Sequence, residues 1–326
     1  MRICIYGAGA IGGLLGARLA QAGEVEVTLI ARGGHLAAMR ERGLRLLAGG
    51  EDVTLAPRTV SDAVEAGEQD YVIVTLKASA VADAVEAMQP LLGPRTAVVM
   101  AVNGLPWWYF YGVPGPWRDH RLASLDPEDK QWKGIGPERV IGCVVYPAAE
   151  VVSHGVVRHL SGDRMSLGEP DGGRSPRVEA LSQALIRAGF KAPVKTDIRT
   201  EIWVKLWGNV AFNPISALTG GTLAQICTDP TTRALVRRVM TEAESVAAKL
   251  GVTMPIGVER RIDGAAAVGD HKTSMLQDFE RGRRIELDAI VGAVAELGRL
   301  VDVPTPAIDT LFVLTRQRAM LLGLYP

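Results

Sequence analysis

The chain has 326 residues, 48% of them hydrophobic and 22% charged, and its 36 Lys and Arg balance its 36 Asp and Glu. That length exceeds a usual single core and predicts two domains, while the lack of a basic excess or a basic run argues against a nucleic-acid partner. No apolar stretch reaches the roughly 18 residues that span a bilayer, and the N-terminus reads as a working strand rather than a charged, then apolar, leader, so a cytoplasmic protein with no membrane partner is expected.

Arg2 to Tyr6 (RICIY) is a short, mostly apolar strand that runs into Gly7-Ala8-Gly9-Ala10-Ile11-Gly12 and a helical run closing on Gly23. A GxGxxG between strand and helix, at the head of a βαβ unit, is a dinucleotide-binding fingerprint. Gly7 allows the tight turn, Gly9 lets the backbone approach a pyrophosphate, and Gly12 lets helix and strand pack closely. The helix N-terminus offers free N–H groups and a partial positive charge to the phosphates. A glycine-rich turn with no ligand is the plainer alternative.

Further strands are expected at Glu26–Ile30 (EVTLI) and Asp70–Lys77 (DYVIVTLK), then, after the helical ASAVADAVEAMQPLL, at TAVVMAVN ending on Asn103. Strands separated by helix-length segments predict a parallel, doubly wound sheet. The rhythm breaks between residues 104 and 138, where Trp107, Trp108, Tyr109, Phe110, Tyr111, Trp117 and Trp132 crowd a Gly- and Pro-rich stretch. VIGCVVY and GVVRHL resume strand patterns, and SPRVEALSQALIRAGF is an amphipathic helix ending near Gly189. From about Thr196 the pattern turns helical, over Glu201–Leu218, Thr231–Leu250, Glu286–Val301 and Pro306–Leu322, with Asn213-Pro214, Gly220-Gly221 and Val303-Pro304 at junctions. The fold class is α/β. A Rossmann-type dinucleotide-binding domain over residues 1–195 precedes an all-helical substrate and catalytic domain over 196–326, with a cleft between them.

The second strand ends in Ile30-Ala31-Arg32, with no acid where an NAD-preferring fold places one on the ribose 2′-OH. Arg32 offers a charged fork suited to a 2′-phosphate, with His35 close enough in sequence to assist. NADP(H) is therefore the expected cofactor, although a solvated loop arginine has the same sequence. Cys4, Cys143 and Cys227 have neither metal-type spacing nor a disulfide framework. They read as small buried residues, and no metal is expected.

Lys205, Asn209 and Asn213 recur at i, i+4 and i+8, one polar stripe on a helix whose flanks are Trp203, Leu206, Trp207 and Val210. Burying a lysine and two asparagines is expensive without a purpose; a solvent face is the alternative. His271–Gly292 holds Ser274, Asp278, Glu286 and Asp288 and, alone, reads as a charged helical hairpin.

Taken with the glycines and Asn103-Gly104, these segments resemble the ketopantoate reductase family over nearly the whole chain. The likeness is carried by Thr75-Leu76-Lys77, a K-x3-N-x3-N-P helix ending in Asn213-Pro214, and Ser274-Met275-Leu276-Gln277-Asp278 followed by Glu286-Leu287-Asp288. It implies hydride transfer from NADPH to C2 of a 2-oxo acid, most simply ketopantoate on the route to pantothenate. Lys205 is the implied proton donor, since a lysine ammonium can neutralise or protonate the oxygen that hydride attack leaves charged. Glu286 would orient Lys205 or the cofactor's ribose and nicotinamide end. Asn209 and Asn213 would fix the substrate hydroxyl and carbonyl, and Ser274 its carboxylate. Lys77 and Asn103 would hold the cofactor near its nicotinamide end.

Two features depart from the family. Leu223 stands where relatives often carry an asparagine, and a leucine has no donor or acceptor. The aromatic run 107–132 is a lid or pocket wall on one reading, a subunit contact or packing cluster on the other. Together they admit a reductase of a more apolar 2-oxo acid. A non-catalytic NADP(H) sensor is the reading from another class, disfavoured because it needs no proton donor. A homodimer is left open.

Overall fold

The computed structural model describes residues 1–325. Contacts divide them into two units: Met1–Val102, Pro106–Arg121 and Asp126–Ile198 form one, Asn103–Leu105, Leu122–Leu125 and the chain from Arg199 form the other.

The first unit opens with β1 (Arg2–Tyr6), α1 (Ala10–Ala22), β2 (Glu26–Ile30) and α2 (Gly33–Arg42). It continues through β3 (Leu44–Ala48), β4 (Glu51–Leu55), β5 (Arg58–Val60), α3 (Ala63–Ala66), β6 (Tyr71–Val74), α4 (Val81–Met88) and β7 (Ala97–Met100). α5 (Lys130–Gly134), β8 (Val140–Val145), β9 (Ala148–Ser153), β10 (Val156–Ser161), β11 (Met165–Gly168) and α6 (Pro176–Arg187) complete it.

Seven strands form one sheet in the order β11-β8-β7-β6-β1-β2-β5. Its pairs are parallel except β11 against β8, so the expected parallel sheet carries one antiparallel edge. The central strands are buried along nearly their full length, as a sheet covered on both faces requires. A second sheet, β4-β3-β10-β9, was not expected from the sequence. α1 lies between the two. A Cβ on Gly16 would stand 2.4 Å from Leu29 of β2, and one on Gly13 would stand 2.7 Å from Val157 of β10. The small residues of GGLLGA are what let a helix sit that close to sheets on either side, with Leu14, Leu15 and Leu19 fully buried in the shared core.

The first part of the aromatic run is interior: Trp107, Trp108, Tyr109 and Phe110 are each under 5% exposed. Trp132 meets the Trp107 ring at 6.1 Å and the Tyr111 ring at 5.9 Å, both edge-on, and Trp108 fills the space beside Gly142. Trp107, Trp108, Tyr109 and Phe110 serve interior packing, which removes the lid reading for them, while Tyr111, Trp117 and Trp132 are half-buried. The three cysteines are buried as well, and burial pushes the Cys4 thiol to about 12 and that of Cys227 to about 11.

Every regular element of the second unit is helical. α7 (Ile198–Thr219) starts at the last residue of the first unit and runs through Pro214, so Asn213-Pro214 is not a junction. Proline removes only the N–H that would bond one carbonyl a turn back, and the apolar packing around Trp203, Trp207 and Ile215 carries the helix past it. α8 (Leu223–Thr228), α9 (Pro230–Lys249), α10 (Val258–Ala266) and α11 (Ser274–Glu280) follow. Where one helix was expected over Glu286–Val301, a π-helical turn (Asp288–Gly292) leads into α12 (Ala293–Leu300), and α13 (Pro306–Leu321) follows. The Trp207 indole donates to the Met240 carbonyl at 2.8 Å and ties α7 to α9. Glu242 accepts the Ala307 and Ile308 N–H groups, capping α13 where four donors lack helical partners.

Candidate active site

In the first unit, β1 ends at Tyr6 and the chain turns at Gly7, whose φ of +108° is costly for any side chain. Gly7 and Ala8 both give their N–H to the Ile30 carbonyl. Thr75, just past β6, donates its hydroxyl to the Gly7 carbonyl at 2.7 Å and holds the turn down. A Cβ on Gly12 would stand 2.3 Å from that carbonyl, so only glycine lets α1 start there. Gly9 is exposed, nothing lies within 4 Å of where its Cβ would be, and no side chain caps α1. An open approach over Gly9 to the first uncapped N–H groups of a helix, with no acid in its first turn, suits a pyrophosphate.

Arg32 is exposed at the N-cap position of α2. Burial raises the Tyr6 pKa, and the nearby Arg32 charge opposes that rise. His35, in the first turn of α2, accepts the Gly155 N–H on Nδ1 at 3.0 Å, and burial lowers its pKa. Lys77 follows β6, on the strand next to β1, and is half-buried.

In the second unit, three expected residues come together. The Lys205 ammonium donates to Asn103 Oδ1 at 2.7 Å, and Asn103 Nδ2 donates to Glu286 Oε2 at 3.2 Å. The carboxamide thus presents its acceptor to the cation and its donor to the carboxylate, the orientation in which both bonds are satisfied. Asn103 is fixed by the next two residues. Leu105 gives its N–H to the Ala289 carbonyl at 2.7 Å, and Gly104, at φ +90°, lies where a Cβ would be 2.3 Å from that same oxygen.

Asn209 and Asn213 lie one and two turns along α7 from Lys205. Asn209 is half-buried, and Asn213 is 4% exposed, its buried Nδ2 without a hydrogen-bond partner among the described residues. A donor left unsatisfied in the interior costs about 1–3 kcal/mol, so this amide is poised for an acceptor that the protein does not supply. Ser274 is exposed at the first position of α11 and takes no part in the Lys205–Asn103–Glu286 bonds. Leu223 is half-buried at the first position of α8, where its N–H bonds the His271 carbonyl. Of the groups that hold the line in place, Gly104 was marked in the sequence by the Asn103-Gly104 pair, but Ala289 and the π-turn were missed. Neither had a signal, since a π-turn keeps an apolar pattern that reads as an ordinary helix.

Comparison with known proteins gives the family. The model described as Ketopantoate reductase PanE/ApbA matches residues 3–172, and that described as Ketopantoate reductase PanE/ApbA C terminal matches residues 197–319. The chain is 56% identical over 325 residues to a 2-dehydropantoate 2-reductase of Mesorhizobium japonicum, covering 100% of both. A crystal structure assigned to the ketopantoate reductases from Ralstonia solanacearum MolK2 superposes with a TM-score of 0.94 at 46% identity, over 99% of each chain. A 2-dehydropantoate 2-reductase from Geobacter metallireducens superposes at 0.85 with 29% identity, over 98% of this chain and 100% of that one.

Proposed function

Because the chain belongs to the ketopantoate reductase family, we propose that it reduces 2-dehydropantoate (ketopantoate) to pantoate, a step toward pantothenate, with NADPH as the reductant. The observation that carries the reading is the Lys205–Asn103–Glu286 line, with the unpartnered Asn213 amide two turns from Lys205 on the same helix. When bound, the reduced nicotinamide supplies a hydride for the ketone carbon. The residues do the rest.

Gly7, Ala8, Gly9, Ala10, Ile11 and Gly12 would cradle the pyrophosphate, Arg32 the 2′-phosphate, and Lys77 the cofactor nearer its nicotinamide end. Lys205 would donate its proton to the ketone oxygen as charge develops there, so that hydride and proton together convert C=O to CH–OH. A hydrogen-bonded cation aimed at a developing oxyanion needs little reorganisation as the charge forms. Asn103 holds the ammonium in one direction, and Glu286, accepting from the same carboxamide, fixes the amide's orientation. Asn209 and Asn213 would bind the substrate oxygens, and Ser274 the carboxylate.

The alternative of a bulkier, more apolar acid loses part of its support, because Trp107, Trp108, Tyr109 and Phe110 are interior packing. A panel of 2-oxo acids followed by NADPH absorbance tests the assignment. Ketopantoate should give the highest kcat/KM, and an apolar acid that clearly surpasses it would overturn the substrate.

A further inference from the structure

Glu286 lies on no regular element, between α11 and the π-turn. A carboxylate on an irregular segment needs anchors on both sides if it is to hold Asn103 at a fixed distance. The end of the chain provides them. On one side of Glu286, Ile285 gives its N–H to the Leu324 carbonyl at 3.2 Å. On the other, the Tyr325 hydroxyl donates to Asp288 Oδ1 at 2.6 Å. Leu324 is fastened in turn, its N–H bonded to the Ala319 carbonyl of α13, and Arg316 of that helix lies over the Tyr325 ring at 5.6 Å.

Asp288 opens the π-turn, with the Ala293 N–H reaching back five residues to the Asp288 carbonyl. This wide turn also places the Ala289 carbonyl against Leu105. One short segment, Ile285–Ala289, therefore carries Glu286, receives the Asn103–Leu105 bend, and is clamped by Leu324 and Tyr325.

We propose that Tyr325 is a positioning residue of the active site: through Asp288, and together with the Leu324–Ile285 bond, it sets the place of Glu286 and so the aim of Asn103 and Lys205. The proposal rests on the catalytic reading of Lys205 and Glu286 given above. Tyr325 touches none of the reacting atoms. Its hydroxyl ends a chain of contacts that runs Tyr325, Asp288, the π-turn, Glu286, Asn103, Lys205. Sub-ångström displacement of a proton donor is enough to slow a reaction whose geometry is otherwise intact.

Tyr325→Phe keeps the ring and its stacking on Arg316 but loses the donor. Steady-state kinetics with NADPH and ketopantoate should show kcat falling roughly 10- to 100-fold, with KM for ketopantoate nearly unmoved because Asn209 and Asn213 are untouched. Thermal melting should shift by no more than a few degrees, since Tyr325 is partly exposed at the end of the chain. Asp288→Asn, which still accepts from Tyr325, should fall less than about threefold, while Asp288→Leu should fall as far as Tyr325→Phe. Turnover of Tyr325→Phe within about twofold of the unaltered enzyme would overturn the proposal, as would equal losses in the two Asp288 variants. Should Tyr325→Phe prove unstable, the Asp288 pair, measured where both are folded by circular dichroism, decides alone. Glu286→Gln separates the two levels of argument. If it too turns over normally, the catalytic reading fails; if it is slow while Tyr325→Phe is normal, only the positioning role fails.

Discussion

Lys205 and Asn103 are 102 positions apart in sequence and 2.7 Å apart in the folded chain, ammonium to carboxamide oxygen. An amide acceptor of this kind orients an ammonium, and the same amide donates to the Glu286 carboxylate, so one carboxamide ties the two groups into a line. The proposed general acid is thereby held in one direction.

The first prediction concerns that acid. Lys205→Ala should lower kcat by about 10²–10⁴-fold, the usual loss for a general acid. NADPH affinity, measured by titration calorimetry, should change little, because the phosphate contacts proposed above fall to the glycine loop and Arg32. Trp203 and Trp207 still anchor α7, so the variant should melt near the unaltered protein. Near-normal turnover by the folded variant would rule the mechanism out.

Asn213 supports a second test, in which stability and function move apart. Its buried Nδ2 has no partner among the described residues, so removing it relieves a desolvation cost of about 1–3 kcal/mol that offsets the lost packing. Asn213→Ala should therefore unfold in urea at nearly the same midpoint, while KM for ketopantoate rises about tenfold or more. A variant that loses stability yet binds ketopantoate normally would show Asn213 to be a structural residue.

Much of this was legible in the sequence because the deciding patterns are local. GAGAIG after RICIY carries its own geometry, and Lys205, Asn209 and Asn213 share a face by helical spacing alone. The line itself was not legible, because Asn103, Lys205 and Glu286 meet only through tertiary packing. The second sheet had a signal that went unused. Gly49 and Gly50, both at positive φ, make the two-residue turn between β3 and β4, and a Gly-Gly pair between alternating strands marks a hairpin. The π-turn and the C-terminal clamp had no such signal: an extra residue in a helical turn is set by what packs against it, here Leu105 and Tyr325.

A third prediction follows from His35. Burial holds its imidazole below the ordinary value of 6.5, and the Gly155 N–H occupies Nδ1 only while that nitrogen is unprotonated. As pH falls, the unfolded chain binds the proton first, so the stability contributed by the neutral ring is complete above about pH 6.5 and is lost progressively below it. Urea midpoints measured from about pH 7.5 to about pH 5.5 should decline, and His35→Gln, which does not titrate, should show a smaller decline over the same range. Identical slopes would assign the loss to other groups.

The last prediction concerns cofactor choice. β2 ends without an acid, and Arg32 stands exposed at the head of α2. Its planar, charged fork suits a phosphate, and a charge-assisted contact of this kind contributes about 1.5–3 kcal/mol. Arg32→Asp should then weaken NADPH about 10- to 100-fold. NADH should be held as well as before or better, since the new carboxylate can accept from a ribose 2′-OH. The fold should tolerate the change, because Arg32 occupies an N-cap position and aspartate is among the favoured residues there. Titration calorimetry of the two reduced cofactors against both proteins decides the matter. Equal losses for NADPH and NADH would mean that Arg32 does not read the 2′-phosphate.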